Sequence, residues 1–332
     1  MHCPRLDHFM RFNSDGTISR CGHMSSPAKF NTLGEMESSE WLANIKKQFL
    51  LNQWPAECNR CEKTEFINGT SIRLNSIIVD EQETQSDYLQ VGGVLDNVCN
   101  SACQTCSASH STKIGKLISK VYPMINNATK FRDLPQDRIL HLDISGGEPS
   151  VSKNYKSLLE NLPPNLKTLR VNTNCAVMLP VLEEINSRGV KVTVTVSFDG
   201  VGAVHDYIRW PIKWKKFYKN LLEYKSYELH DLNLWTTVNT HNINDLENIF
   251  KFVQEHKFNH SYALLNYPAP LDVSYTNRLT TLAREKFRSS VDTQLNRIAE
   301  FVAVKSSNQN EFNTFVKQQD QLRGIDISNF IK

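Results

Sequence analysis

The sequence predicts an α/β fold built on a parallel sheet, with a small cysteine-rich module at its N-terminus. From residue 87 onward, strand-like runs alternate with stretches of helical periodicity, which is the pattern of repeated βαβ units. Residues 1 to about 62 lack this alternation and hold four of the eight cysteines. We therefore expect a metal- or cluster-binding module over residues 1–62, a connection over 63–86, the sheet domain over 87–305 and a polar tail over 306–332.

The sheet domain is predicted element by element, each strand being followed by a helix. The strand-like runs are residues 89–95, 139–144, 168–171, 191–198, 232–238 and 262–265. Apolar stripes spaced i, i+3, i+4 and i+7 predict the helices, and they begin at Ile114, Tyr155, Met178, Trp214 and Leu246. A sixth helix is expected over residues 277–302. Six βα units fall short of the eight in a closed barrel, so the expected architecture is an incomplete barrel.

Composition and charge exclude several classes of protein. The 332 residues are 40% hydrophobic and 22% charged, which is ordinary for a soluble globular chain. A net charge of +3 does not predict a nucleic-acid partner. No apolar run reaches the roughly 18 residues of a transmembrane helix, and residues 1–7 do not resemble a signal segment. We expect a cytoplasmic protein that does not bind membranes, whose cysteines stay reduced.

The closest cysteine spacing occurs directly after the first predicted strand. Cys99, Cys103 and Cys106 form a C-x3-C-x2-C motif. Three thiolates can hold three corners of a cubane cluster and leave a fourth metal free for a small molecule. The alternative, three small buried hydrophobic residues, fits poorly with the polar residues around them. The motif therefore predicts a metal site with an open coordination position.

Polar and glycine-rich segments follow the next strands as well. They are residues 145–149 (SGGEP), 172–174 (NTN), 197–200 (SFDG) and Asn239. Active sites of parallel α/β folds form at the carboxyl ends of the strands, so we expect these segments to surround one site.

Together, these motifs resemble the radical S-adenosylmethionine (SAM) superfamily over about residues 87–270. The cysteine trio matches that superfamily's cluster motif, and residues 146–149 match its GGEP motif. Residues 197–200, followed by 205–209 (HDYIR), are similar to the SxDG and HDxxR stretch of its peptide-modifying and SPASM/twitch-bearing members.

The resemblance implies a partial (β/α)6, TIM-like barrel and a four-iron four-sulfur cluster held by the three cysteines. SAM would chelate the open iron and yield a 5′-deoxyadenosyl radical that abstracts hydrogen from a substrate. The residues that the resemblance assigns to SAM binding are Gly146, Gly147, Glu148, Ser197, Arg209 and Asn239. Cys175, after the third strand, is a candidate hydrogen donor, with plain packing as its alternative.

The N-terminal cysteines resemble the SPASM/twitch module, which binds auxiliary clusters. Cys3, Cys21, Cys58 and Cys61 surround a D-G turn and end in a CxxC pair. The module usually follows the barrel, whereas here it precedes it. Four thiolates would complete one auxiliary iron-sulfur cluster, which the neighbouring radical SAM motif favours, with a structural zinc site as the alternative.

The sequence leaves three hypotheses of function open. The first is a radical SAM enzyme that modifies or matures a peptide or protein, or acts on a small polar molecule, with electrons from a donor such as flavodoxin or ferredoxin. The second is a non-catalytic iron-sulfur or zinc protein that serves as a binding scaffold. A radical SAM enzyme acting on nucleic acid is a third hypothesis, which the small net charge opposes.

Overall fold

A single eight-stranded sheet organises the chain. The computed structural model describes residues 1–119, 124–265, 267–273 and 309–331. The strands are β1 (Phe9–Phe12), β2 (Ile18–Ser19), β3 (Leu89–Val94), β4 (Ile139–Ser145), β5 (Thr168–Thr173), β6 (Lys191–Ser197), β7 (Asp231–Val238) and β8 (Asn259–Leu264). Their order is β2-β1-β3-β4-β5-β6-β7-β8, and β2 and β8 are its two ends, so the sheet is open among the described residues.

The sheet is mostly parallel. β3 pairs in parallel with β1 and β4, β5 with β4, and β7 with β6 and β8, whereas β1 and β2 are antiparallel. Parallel strands need crossover connections, and helices lie in the sequence between them. The observed sheet confirms the predicted α/β class with an incomplete barrel.

The helices fall where the apolar stripes predict them, with additional ones in the N-terminal third. They are α1 (Arg5–His8), α2 (Leu33–Glu37), α3 (Glu40–Leu50), α4 (Asn59–Asn68), α5 (Ile72–Glu81), α6 (Thr112–Ile118), α7 (Ala128–Arg132), α8 (Lys153–Glu160), α9 (Val181–Ser187), α10 (Ala203–Ile208), α11 (Trp214–Ser226), α12 (Leu246–His256) and α13 (Gln309–Arg323). Among the described residues, none of the helices has the length and apolar character needed to cross a membrane.

Contacts divide the chain into two compact units. The first consists of Met1–Val98, Pro123–Val171 and Ile185–Val192, and the second of Cys99–Tyr122, Asn172–Glu184 and Thr193–Lys332.

In the first unit, the N-terminal residues are part of the sheet. Phe9 and Phe12 of β1 are buried, and β1 pairs with β3 along its whole length. The sequence predicts six strands and a separate module before them, so β1 and β2 are a correction to that strand count. The cause is physical: a four-residue and a two-residue strand are too short to show periodicity, yet they bury apolar side chains against β3.

In the second unit, helices α11 and α12 bury their predicted stripes. Phe217 and Phe252 both pack on Phe198, with ring centroids 6.1 and 5.2 Å away. Helix α13 forms part of the predicted polar tail and packs Phe312 and Val316 against Leu271. The helix predicted over residues 277–302 lies outside the described residues.

Candidate active site

The loop with the C-x3-C-x2-C motif follows β3 and precedes α6. The Sγ atoms of Cys99 and Cys103 lie 3.3 and 3.5 Å from the hydroxyl of Ser101, so one side chain links two of the thiols. Ser111, the N-cap of α6, donates to the carbonyl of Ser101 at 2.6 Å. Cys103 is buried and Cys106 is exposed. The first turn of α6 therefore anchors the middle of the loop. The three thiols differ in exposure, from the buried Cys103 to the exposed Cys106.

A buried ion pair stands beside the Cys103 thiol. Arg209 Nη1 donates to Cys103 Sγ at 3.4 Å, and Arg209 Nε lies 2.9 Å from Asp199 Oδ2. Asp199 Oδ1 in turn accepts from the backbone N–H of Thr237 at 2.8 Å. Burial opposes the charge on Arg209, but Asp199 and Cys103 outweigh it and raise the pKa of Arg209 above its usual value. A positive charge is thus fixed next to a sulfur atom of the cysteine motif.

Helix α13 holds the same loop through its last residue. Arg323 Nε donates to the carbonyl of Ala102 at 2.8 Å, and Nη2 donates to the carbonyl of Cys103 at 3.2 Å. Backbone N–H groups of Ala102 and Gln104 donate to the carbonyls of Trp210 and Ile208, both at 2.8 Å. The backbone around Cys103 is therefore fixed from two directions.

The GGEP segment forms a tight turn after β4 in the first unit. Gly146 and Gly147 have φ of +81° and +60°, which glycine adopts without strain. A Cβ on Gly147 would lie 2.8 Å from the carbonyl oxygens of Asp96 and Val98, so no side chain fits there. The N–H of Glu148 donates to the Val98 carbonyl at 2.7 Å, and its buried carboxylate accepts from the Ser150 hydroxyl at 2.6 Å. The turn thus packs on the residues that precede Cys99 in the sequence.

The remaining predicted side chains occupy strand ends in the second unit. Ser197 is half-buried at the end of β6. Asn239 is fully buried, and its amide donates to the Thr237 carbonyl at 2.7 Å and accepts from the His241 N–H at 2.9 Å. The Asn239 side chain therefore shapes its own loop, and its assignment to SAM stays a prediction.

Cys175 is fully buried at a positive φ of 60°. Its Sγ lies 3.9 Å from the carbonyl of Phe217, and its own carbonyl accepts from the Asn220 amide at 2.7 Å. These contacts describe a packed thiol, and its role as hydrogen donor stays a prediction.

The four N-terminal cysteines come together in the first unit. They line one small cavity with Trp54 and Arg73. Burial, followed by the neighbouring Cys21, raises the pKa of Cys3 to about 12, and burial followed by Cys3 does the same for Cys58. Neutral thiols also pack as small hydrophobic groups. Cys3, Cys21 and Cys58 belong to the apolar cluster around Leu42 and Phe49.

The donor chemistry of both cysteine groups suits a metal or cluster. Within the part of the chain that the structure describes, no three His, Cys, Asp or Glu side chains are close enough to hold a metal ion as they stand. The thiols would have to converge on binding. The trio offers soft sulfur ligands beside the positive charge of Arg209, which fits an anionic thiolate-bound iron-sulfur cluster.

Comparison with known proteins decides the family of the sheet domain. Residues 95–253 match the family model described as the radical SAM superfamily. This segment is a radical SAM domain. The match spans the cysteine trio, the GGEP turn and the Asp199–Arg209 pair, and it confirms the predicted resemblance to the radical SAM superfamily, whereas the resemblance of the N-terminal cysteines to a SPASM/twitch module stays a prediction. A radical SAM domain is the domain of an enzyme superfamily, so the match supports an enzyme.

Several solved structures are similar to the chain at low identity. Native anSMEcpe with bound AdoMet shares 15% identity over 70% of this chain and 62% of that chain, with a TM-score of 0.42. Streptococcus suis SuiB bound to S-adenosylmethionine shares 13% identity over 89% of this chain and 68% of that chain, with a TM-score of 0.44. SuiB bound to the precursor peptide SuiA has a TM-score of 0.42 at 13% identity, with 97% and 70% covered. The chain spans less than two thirds of the length of the anSMEcpe structures. No curated protein matches the sequence.

Three residues around the radical SAM cysteines were not assigned from the sequence. Ser101 lies inside the motif, and Asp199 inside the SFDG segment, so their positions carried a signal although their roles did not. Arg323 lies in a polar tail without a recognisable motif, and only the fold brings it to Cys103.

Proposed function

We propose that this protein is a radical SAM enzyme that abstracts hydrogen from a peptide or protein substrate in its modification or maturation. When bound at these cysteines, a four-iron four-sulfur cluster would supply one electron to SAM, so that its C5′–S bond would break into methionine and a 5′-deoxyadenosyl radical, and this radical would take a hydrogen atom from the substrate to give 5′-deoxyadenosine. The observation that carries the proposal is the contact of Arg209 with Cys103, because it sets a buried, Asp199-paired cation at one thiol of the family's cluster motif.

Each part of the site has a stated task in this proposal. Cys99, Cys103 and Cys106 are the cluster ligands, and Arg209 stabilises the negative charge that their thiolates bring. The turn at Gly146 and Gly147 offers backbone carbonyls to the amino group of SAM, and only glycine keeps its shape because a Cβ at either position would collide with neighbouring protein atoms. Glu148 positions that turn through Ser150, and Ser197 is the contact for the ribose.

The peptide substrate is supported by the SFDG and HDYIR segments. These segments are similar to those of peptide-modifying members of the superfamily, and here they supply both partners of the Asp199–Arg209 pair. We further propose that Cys3, Cys21, Cys58 and Cys61 hold an auxiliary iron-sulfur cluster, with zinc as the competing occupant, and that a flavodoxin or ferredoxin supplies electrons in the cytoplasm.

Formation of 5′-deoxyadenosine tests the proposal. The protein is reconstituted anaerobically with iron and sulfide, incubated with SAM and dithionite, and the nucleoside is quantified. We expect wild type and Ser107→Ala, an exposed change in the same loop, to form it, and Cys103→Ala to form none. Equal formation by wild type and Cys103→Ala would contradict the cluster assignment. A loaded wild type that neither forms the nucleoside nor binds SAM would favour the scaffold function.

A further inference from the structure

A cavity of about 510 Å³ in the first unit is lined by four arginines. Arg11 projects from β1 and Arg170 from β5, while Arg5 comes from α1 and Arg60 from α4. The only carboxylate in the described lining is that of Asp143, on β4. Four guanidinium groups thus face one acidic side chain.

The strand register explains why the charges converge. Arg11 pairs with Gly92, Gly92 with Asp143, and Asp143 with Arg170, so the four residues form one row across β1, β3, β4 and β5. Residues paired across neighbouring strands share a face of the sheet. Gly92 has no side chain, and a Cβ there would already lie 3.2 Å from the ring of Phe9. The row therefore has an arginine at each end, and the Phe9 ring packs over the position of Gly92 between them.

Among the described residues these arginines make no close ion pair, although Asp143 interacts electrostatically with Arg170, Arg5 and Arg11. Among the described residues, no guanidinium group of the four makes a hydrogen bond or an ion pair within 4 Å. Arg5 is only 8% exposed, lies 3.5 Å from the Phe9 ring centroid and leaves its buried Nε without a partner. A buried donor without a partner costs free energy that a ligand's acceptor can recover.

The chemistry of the lining selects the ligand. Guanidinium groups bind carboxylates through two parallel hydrogen bonds, and the bonds are strong because both partners are charged. Arg5 also lines the cavity of the four N-terminal cysteines, so Arg11, Arg60 and Arg170 are the cations left for an anionic ligand, against the single carboxylate of Asp143. A neutral or cationic peptide would leave these charges uncompensated.

We propose that this cavity binds acidic side chains of the peptide substrate, so that the enzyme selects a peptide with Asp or Glu residues. The proposal rests on the proposed function for the identity of the substrate as a peptide. Arg11 and Arg170 bind the carboxylates, and Asp143 lies between the two arginines in the row.

Binding of a fluorescein-labelled peptide of alternating glycine and glutamate to the cluster-loaded protein tests this assignment, with the glutamine analogue as the neutral probe. We expect wild type to bind the glutamate peptide about tenfold more tightly. Arg11→Gln and Arg170→Gln should each reduce that preference by about three- to tenfold. Arg132→Gln removes the same charge from an exposed arginine outside the cavity and should leave binding unchanged.

Three outcomes would overturn the assignment. They are equal affinity for the two peptides, an equal loss in Arg132→Gln and Arg170→Gln, and displacement of the glutamate peptide by inorganic phosphate but not by glutarate at the same concentration. The last result would assign the cavity to a phosphate group instead. In the same preparations, 5′-deoxyadenosine formation reports on the proposed function separately, because it requires the cluster and SAM but not the peptide preference.

Discussion

Arg323 donates a hydrogen bond to the carbonyl oxygen of Cys103, 220 positions earlier in the sequence. A second bond to Ala102 makes the contact bidentate, and Tyr207 donates to Asp320 of the same helix at 2.9 Å. The C-terminal helix α13 therefore acts as a brace that holds the cysteine loop in place.

Replacing Arg323 by methionine should weaken both the fold and cluster retention. The change removes the side-chain donor of the buried Ala102 carbonyl and one of the two donors of the Cys103 carbonyl, which still accepts from the Cys106 N–H, and we expect this to cost about 1–3 kcal/mol of unfolding free energy. Chemical denaturation and iron content after reconstitution measure the two effects. Lys317→Met, an exposed change on the same helix, is the control and should have little effect on either quantity. Equal values for the two variants would mean that the brace contributes nothing.

Arg209→Met should be strongly destabilising because it strands the buried carboxylate of Asp199. Removing one partner of a buried ion pair costs about 3–5 kcal/mol. The double variant Asp199→Asn/Arg209→Met should recover part of that loss, which a double-mutant cycle under denaturant measures. Lys251→Met removes one partner of an exposed pair with Glu255 and should cost less than about 1 kcal/mol. Strict additivity of the two single changes would argue that the pair is not coupled.

Gly147→Ala and Gly202→Ala separate backbone strain from steric exclusion. Both glycines have a φ of +60°, but a Cβ on Gly147 meets two carbonyl oxygens at 2.8 Å while one on Gly202 meets nothing within 4 Å. We expect Gly147→Ala to cost about 1–3 kcal/mol more and to weaken SAM binding, because the turn must shift. Thermal denaturation and equilibrium dialysis with SAM are the measurements. A matching loss in both variants would show that only the φ angle matters.

Stability should fall in acid because His205 is buried in its neutral form. Burial, with a further contribution from Arg209, lowers the pKa of His205 to about 3, and the ring packs on Trp214 and Phe217. The unfolded chain therefore binds one more proton between about pH 6.5 and pH 3, and unfolding free energy decreases by up to about 1.4 kcal/mol per pH unit as pH falls through that window.

Denaturation curves for His205→Leu between pH 7 and 4 test this slope. We expect the variant to have a shallower pH dependence than wild type, whereas His230→Leu, at an exposed histidine, should retain the wild-type slope. An unchanged slope in His205→Leu would mean that another group controls the acid response.

The alternation of strand-like and helical segments was enough to predict the parallel sheet, but it did not reveal the two short strands at its N-terminal end. The long strands β4, β6 and β7 begin and end within a residue of their predicted bounds, because apolar residues recur in them with the two-residue period of a strand. Strands β1 and β2 are too short to show a period, and only their pairing next to β3 defines them.

The candidate site was also only partly predictable from the sequence. Cys99, Cys103 and Cys106 were identifiable because cluster ligands lie close together in sequence. Arg209 was identifiable as a site residue, but its partners Asp199 and Cys103 required the fold. Arg323 reaches the site only through tertiary packing, which no local pattern encodes. Arg170 and Asp143, charged residues inside predicted buried strands, were a signal for the arginine-lined cavity that strand periodicity alone did not interpret.

Electron paramagnetic resonance of the dithionite-reduced protein, recorded with and without SAM, tests whether SAM binds to a cluster held by the three cysteines. We expect the signal of a reduced four-iron four-sulfur cluster whose spectrum changes when SAM is added. This SAM-dependent change should be absent in Cys103→Ala. A reduced cluster whose spectrum is the same with and without SAM, or a SAM response that persists in Cys103→Ala, would contradict this expectation.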